Sequence, residues 1–475
     1  MWPVQKSPAV ASRGSIATPT VVSVAVLFPL AAFGTVEAIL HLKKYFGRTL
    51  RKLISIVDPV VPSAEVIADT LSSEIPIEDL EQHVQEEASN PVIDGAEKCI
   101  HWFDPNCKQK TPICVVFFHG WSACRQEGRP VIGRIAKHLQ ANLYCGRLPG
   151  HGRQGTTKPG WSSNSKMAPD GQALMNEAKP RELFMSALDS LRVGLSLGDR
   201  VVLAGISTGG ALATWLASLL LSDHDGASEK EQKTLEPLRE KIASLILISP
   251  AYALSHPLYP VLKHSFAAMR VLPGRLSHIA RTKLIQAAIG AERNIPVVND
   301  DHYRFSTLQY PSAALLHLLD VLYELEIVNH ASITIPTLMI GNPQDPVVNF
   351  RVKATNAFLK FGDAPNKVLY CLTRGEHQHI MSCEYQSPST VDEVTEVIRL
   401  FLNTNSLAPP PPETPYQDYE VTLENGQLDG KRYMIDLELE RTNEDDNSAA
   451  RRHSAGLGNF SSFPSFGELS RPLEF

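Results

Sequence analysis

"RVVLAGISTGGALATWLASLLL", Arg200 to Leu221, changes its period in the middle. Its opening, Val201-Val202-Leu203-Ala204, has the apolar, β-branched character of a buried strand. Its end, from Gly210 onward, is apolar, free of β-branched residues except Thr214, and long enough for a buried helix. Between the two stand Gly205, Ser207 and Gly209. A strand that becomes a helix within three residues needs small flanking positions and lifts the middle side chain to the apex of a sharp turn. The same G-x-S-x-G spacing occurs at Gly194–Gly198, "GLSLG", around Ser196. That copy follows a helix-period run and precedes the strand, so it reads as a helix C-terminus stopped by Gly198. Context therefore selects Ser207 over Ser196 as the candidate nucleophile.

Outward from this turn the chain repeats one alternation. "ICVVFFHG" (113–120), "NLYCGR" (142–147), "SLILIS" (244–249), "IPTLMIG" (335–341) and "KVLYCL" (367–372) are short apolar runs ending at turn residues. Helix-period segments lie between them at Val131–Leu139, Arg181–Leu197, Gly210–Leu221, Arg351–Phe361 and Val391–Leu402. Strands alternating with helices predict an α/β fold, a mostly parallel sheet with helices on both faces. The stretch Ala251 to Ile335 is too long for a plain crossover. Its helical pattern, with Tyr252, Tyr259, Phe266, Met269 and Leu272, predicts a helical cap over about 251–333.

The nucleophile needs partners, and in a sheet of this kind the chain order is serine, acid, histidine. "TLMIGNPQDPVV" places Asp345 in the loop after a strand, framed by Pro343 and Pro346. "YCLTRGEHQHIMSCEYQ" offers His377 and His379 after the last strand. Either imidazole, oriented by Asp345, is a base for the Ser207 proton. His379 is favoured because Ile380 and Met381 follow it and can anchor the ring, whereas Glu376 and Gln378 flank His377 and turn it toward solvent. The oxyanion formed on attack requires backbone N–H donors. Thr208 supplies one, and the loop "FFHGWSAC" supplies the other from Trp121, with His119 holding that loop by hydrogen bonding. His151 in "RLPGHGRQG" comes too early for the triad and reads as loop structure.

The set "FFHGW", "LPGHG", "GISTGG", "PQDPVV" and "HIM" resembles the α/β-hydrolase superfamily, in particular its branch of monoacylglycerol lipases, lysophospholipases and serine aminopeptidases. The resemblance covers about Gly95 to Asn403. It implies an eight-stranded-type sheet, a cap after the sixth strand, and acyl ester hydrolysis without metal or cofactor, carried by Ser207, Asp345, His379, Trp121 and Thr208. Two departures stand out. Arg147 replaces the aspartate that often precedes P-G-H-G, and the spacing before His377 is one residue short, which keeps both histidines in play.

The flanks differ from the core. From Ile16 to Val36, "IATPTVVSVAVLFPLAAFGTV" is uncharged. It is long enough to cross a bilayer, which takes about 20 residues as a helix; Pro19 and Pro29 are tolerable there. Alternatives are a Pro29-centred hairpin in one leaflet and a buried or interfacial helix. Lys43, Lys44, Arg48, Arg51 and Lys52 follow the run and place the bulk of the chain in the cytosol. The expected organisation is a tail at 1–15, a membrane anchor at 16–42, a linker at 43–95, the hydrolase-type domain at 96–404, and a Pro-rich, largely disordered tail at 405–475. Within that tail Arg451-Arg452-His453-Ser454 resembles a basophilic kinase site at Ser454.

The chain's 475 residues carry 45 basic and 51 acidic side chains, a net charge of −6 that gives no reason to expect a nucleic acid partner. The seven cysteines show no C-x-x-C pair, so they read as reduced, packed thiols rather than a metal site. These features together predict a membrane-anchored serine hydrolase of acyl or lipid esters. A serine aminopeptidase is the alternative enzyme, kept open by Glu292, Asp300 and Asp301 in the cap, which could hold an α-amino group. A catalytically inactive binding module is the alternative outside enzymes.

Overall fold

The computed structural model describes residues 36–85, 91–155, 168–223, 228–362 and 366–408. The chain divides into two compact units between Ile56 and Val57. The first contains the helix Val36–Val57 up to Ile56, with all five basic residues expected after the anchor. No helix among the described residues is long and apolar enough to cross a membrane. Residues 16–35 of the uncharged run, the Pro-rich segment beyond 408 and Ser454 lie outside the described residues.

The second unit is built on a seven-stranded sheet. In chain order its strands are β1 (Cys99–His101), β2 (Thr111–Phe118), β3 (Asn142–Cys145), β4 (Gly198–Ile206), β5 (Ile242–Ile248), β8 (Thr337–Gly341) and β9 (Lys367–Cys371). Two further short strands, β6 (Glu292–Asn294) and β7 (Gln309–Pro311), pair with each other as a hairpin outside the sheet. The spatial order is β1-β3-β2-β4-β5-β8-β9, and every neighbouring pair is parallel except β1 with β3. All six expected core strands are present. The antiparallel β1, only three residues long and partly exposed, carries too little pattern to be read from sequence.

Both faces of the sheet are covered, and the sequence of β4 shows how. Val201 and Leu203 belong to one hydrophobic cluster with the helices Pro180–Leu197 and Thr208–Leu221. Val202, Ala204 and Ile206 belong to a second cluster with the helices Val131–His138 and Val391–Thr404. Alternate side chains leave opposite faces of a strand, so a stretch buried on both faces must be apolar, as β4 is from Val201 to Ile206 after the exposed Asp199 and Arg200. In the helix Pro180–Leu197, Leu183, Phe184, Ala187, Leu188 and Leu191 are buried at i, i+4 spacing. It ends at Gly198, in extended rather than left-handed backbone (φ −148°). Glycine is needed there because a Cβ would stand 2.5 Å from the Cys114 nitrogen of β2, not because the helix turns back on itself.

The insertion expected near 251–333 lies between β5 and β8. It follows the fifth described strand rather than a sixth, because the sheet has seven described strands instead of eight. It contains the helices Tyr259–Met269, Gly274–Ile289, Asp300–Phe305 and Leu315–Leu325 together with the β6–β7 hairpin. Charge holds it together and ties it to the segment before the sheet. Arg270, fully buried, meets Asp58 at 2.9 Å and Glu324 at 2.7 Å, and Arg281 meets the buried Asp320 at 2.5 Å. A buried guanidinium needs such partners to offset its desolvation.

Chain order and spatial order diverge at one place. From β2 the chain moves to β3 on one side, and then returns to add β4 on the other. The loops leaving the C-terminal ends of β2 and β4 therefore run apart and open a crevice between them. His119-Gly120-Trp121 leaves β2 there, and Ser207 leaves β4.

Candidate active site

Ser207 joins β4 to the helix Thr208–Leu221 with φ 50° and ψ −117°, a backbone conformation rare for any residue but glycine. The surroundings hold it there. Its N–H donates to the Ile248 carbonyl at 2.9 Å, and its own carbonyl accepts from Ala211 at 3.1 Å and Ala251 at 3.0 Å. A Cβ on Gly205 would stand 2.5 Å from the Gly209 carbonyl, and one on Gly209 would stand 2.1 Å from the Phe118 oxygen. The two glycines of the motif are thus steric requirements of the turn.

Ser196 has a different setting. It is fully buried near the end of the helix Pro180–Leu197. Its hydroxyl accepts from the Ile75 N–H at 2.8 Å and donates to the Arg192 carbonyl at 3.1 Å. It ties the segment before the sheet to this helix.

Asp345 follows β8, and its two carboxylate oxygens have separate partners. Oδ1 accepts from the backbone of Val347 at 2.8 Å and Val348 at 2.9 Å. Oδ2 accepts from Nδ1 of His379 at 2.7 Å. Fixed by its own loop, the carboxylate in turn fixes the imidazole, whose proton stays on Nδ1 and whose Nε2 keeps a free lone pair. Burial pulls the His379 pKa down, but the Asp345 charge, its hydrogen bond and the nearby Glu127 outweigh it, so the ring sits above the ordinary histidine value. Ile380 and Met381 are both buried in the second core cluster and anchor this loop as expected.

His377 departs from expectation. It is half-buried, not turned to solvent, and its Nδ1 accepts from the N–H of His379 at 3.2 Å and of Ile380 at 2.9 Å. It cannot face solvent because it staples the turn that carries His379. Burial and the neighbouring His379 lower its pKa to about 4, which keeps it neutral.

On the other side of the crevice, the Leu148 N–H donates to His119 Nε2 at 3.0 Å, so His119 Nδ1 carries the proton and donates to the Gly120 carbonyl at 2.8 Å. The loop anchor expected of His119 is present. His151 is buried, and its ring meets Trp121 edge-on at 5.2 Å. Arg147 donates to the His151 carbonyl at 2.8 Å, so this departure from the family pattern serves the P-G-H-G turn. Thr208 opens the helix after Ser207, where an amide has no intrahelical acceptor.

Ser207, Thr208, Trp121, His377 and His379 all line one cavity of about 110 Å³. Its remaining wall is largely apolar and comes mostly from the insertion and the loop after β8, with Leu254, Ile295, Leu308, Leu315, Leu318 and Val347. The insertion also holds the loop after β2: the Thr307 N–H donates to the Ser122 carbonyl at 2.6 Å.

One lining residue gives no signal in the sequence. Glu127, in the polar run "CRQEG", is 2% exposed, and its Oε2 accepts from the Gly120 N–H at 2.6 Å. A Cβ built on Gly120 would lie 3.1 Å from that carboxylate and 3.2 Å from the Ser207 Cβ. Burial raises its pKa to about 7, against the lowering effects of the Gly120 hydrogen bond and His379. Its carboxylate fixes the loop that carries Trp121. Glu292, Asp300 and Asp301, by contrast, are exposed on the insertion and do not line the cavity. No group of three or more His, Cys, Asp or Glu at metal-ligand distances lies at this cavity among the described residues.

The family model of the alpha/beta hydrolase family matches residues 115–369, more than half of the chain. No curated protein matches the sequence. Among solved structures, one described as LipS and LipT, two metagenome-derived lipolytic enzymes, aligns with TM-score 0.44 at 17% identity, over 66% of this chain and 100% of that one. A monoacylglycerol lipase of Paleococcus ferrophilus aligns with TM-score 0.39 at 15% identity, over 65% and 98%. A soluble variant of monoglyceride lipase from Saccharomyces cerevisiae, in complex with a substrate analog, aligns with TM-score 0.39 at 14% identity, over 72% and 98%.

Proposed function

The chain belongs to the alpha/beta hydrolase family, and on that premise we propose that it is a serine hydrolase of carboxylic esters, acting through an acyl-enzyme on Ser207. The observation that carries this reading is the 2.7 Å bond between Asp345 and His379, with His379 and Ser207 on the wall of one cavity. His379 Nε2 takes the hydroxyl proton as Ser207 Oγ attacks the ester carbonyl. Asp345 orients the ring and stabilises the imidazolium. The oxyanion meets the amides of Thr208 and Trp121. The imidazolium then protonates the departing alkoxide, and water, activated by the same base, releases the acid.

The apolar wall favours an acyl chain over a polar group in the slot. At about 110 Å³ the cavity is well below the roughly 300–1,000 Å³ of drug-sized ligand sites. That volume suits a short acyl chain better than a long one. An aminopeptidase would need carboxylates free to hold an α-amino group. Glu292, Asp300 and Asp301 lie off the cavity lining, and the one carboxylate on it, Glu127, is engaged with Gly120. Ester hydrolysis is the better reading, and turnover of p-nitrophenyl esters of graded length against amino-acid arylamides tests it. Faster turnover of the arylamides would select the peptidase, and none on either series would select an inactive module.

The uncharged run from Ile16 to Val36 and the basic residues after it support a membrane anchor with the catalytic unit on the cytosolic side. Chain lacking residues 1–52 should leave membranes and keep esterase activity. Its retention after a carbonate wash would contradict the anchor.

A further inference from the structure

A second cluster of reactive side chains lies away from the Ser207 cavity, at the β1 edge of the sheet. Cys99 and His101 are two apart on β1 and so project from the same side of the strand. The antiparallel register sets Cys145 of β3 directly opposite Cys99. Cys99 Sγ is 3.1 Å from His101 Nε2, and the three ligand atoms all lie within 4.8 Å of one another. No comparable group occurs elsewhere among the described residues. We propose that Cys99, His101 and Cys145 hold a thiophilic divalent cation of the zinc class.

The geometry needs little adjustment. Ligands at 2.0–2.3 Å from a tetrahedral zinc ion are themselves about 3.5–3.8 Å apart. Two thiolates and a neutral imidazole balance a divalent charge. Arg125 lines the same cleft as His101 and Cys145, and its own charge is met by Glu97 at 3.2 Å. Three protein ligands leave a fourth position open. His101 and Cys145 line a cleft of about 490 Å³, shared with Trp102, Arg125 and Leu143, so water or an exogenous donor can reach the ion. C-x-H on a three-residue strand with its third ligand on β3 has none of the spacing that marks metal sites in sequence, which is why the cysteines read as packed thiols. The ion would clamp β1, the sheet's antiparallel edge, to β3.

The test uses the full chain, purified under a phosphine reductant and titrated with cobalt(II), then with zinc in competition. One cobalt should bind per chain, with thiolate-to-cobalt charge-transfer absorption and the intense visible bands of a tetrahedral site. Zinc should displace it and raise the Tm. Cys99→Ser and His101→Ala should each weaken binding by about tenfold or more and abolish the zinc-dependent rise in Tm. Cys107→Ser, which removes an exposed thiol elsewhere, should change neither. Circular dichroism of metal-free variants separates lost ligation from lost folding. Absent charge-transfer absorption in the reduced full chain would overturn the proposal. So would binding unaltered in the Cys99→Ser/His101→Ala double variant, or a Cys99–Cys145 disulfide formed in air by a chain that takes up no metal when reduced.

Discussion

Replacing Asp345 by asparagine changes few atoms and reverses one proton. The carbonyl oxygen of the amide must keep the Oδ1 position, where the Val347 and Val348 N–H groups point at 2.8 and 2.9 Å. The opposite flip would set an NH₂ group against two donors, leaving the buried Val348 N–H unsatisfied at about 1–3 kcal/mol. The NH₂ therefore occupies the Oδ2 position, 2.7 Å from Nδ1 of His379. That nitrogen must then accept, and the ring's proton moves to Nε2, the atom that has to receive the Ser207 proton. The charge that raises the His379 pKa disappears as well. Loss of the correct tautomer in a triad lowers kcat by about 10⁴-fold, or about 5.4 kcal/mol at 1.36 kcal/mol per decade. We expect that loss in kcat on a soluble p-nitrophenyl ester, with KM little changed and the circular dichroism spectrum intact. An Asp345→Asn enzyme keeping more than about a tenth of the kcat would refute the tautomer argument.

Three further outcomes follow from the same geometry. His379→Ala should lower kcat by about a thousand-fold or more, whereas His377→Ala, which removes a staple on two loop amides but no reacting group, should cost about tenfold; steady-state kinetics separate them. The base works only when neutral, so the acid limb of kcat/KM should fall above the ordinary histidine value of about 6.5. Glu127 contributes to that rise when ionised, so Glu127→Gln should move the limb to lower pH, and a pH–rate profile displaced upward or not at all would contradict its placement. Ser196→Ala leaves the buried Ile75 N–H without its acceptor, so it should destabilise by about 1–3 kcal/mol in urea unfolding while turnover per folded molecule stays unchanged.

Most of the six parallel strands are legible in the sequence because their central residues are buried on both faces and must be apolar, whereas the edge strand β9 is buried only in part. The sequence separates Ser207 from Ser196 because the elbow needs a strand before and a helix after, and only one copy has both. Chain order points to Asp345 and His379, which the structure bonds to each other, since the loops after β8 and β9 open on the same edge of a parallel sheet. What stayed hidden depends on distance in space. Glu127 looks like any polar loop residue until the turn at Gly120 folds over it. His377 reads as solvent-facing from its polar neighbours, yet its ring accepts two amides of its own turn, a contact set by backbone conformation rather than by composition. Cys99, His101 and Cys145 come together only through the register of a three-residue strand too short to leave a pattern.

The central claim is that Ser207 is the nucleophile of a working hydrolase. A fluorophosphonate forms a stable adduct with a serine that an adjacent base activates, so peptide mapping after labelling reads the claim at one residue. The account predicts a single adduct on Ser207 that is lost in Ser207→Ala and strongly slowed in His379→Ala. An adduct on Ser196, or ester turnover persisting with Ser207 unmodified, would contradict it.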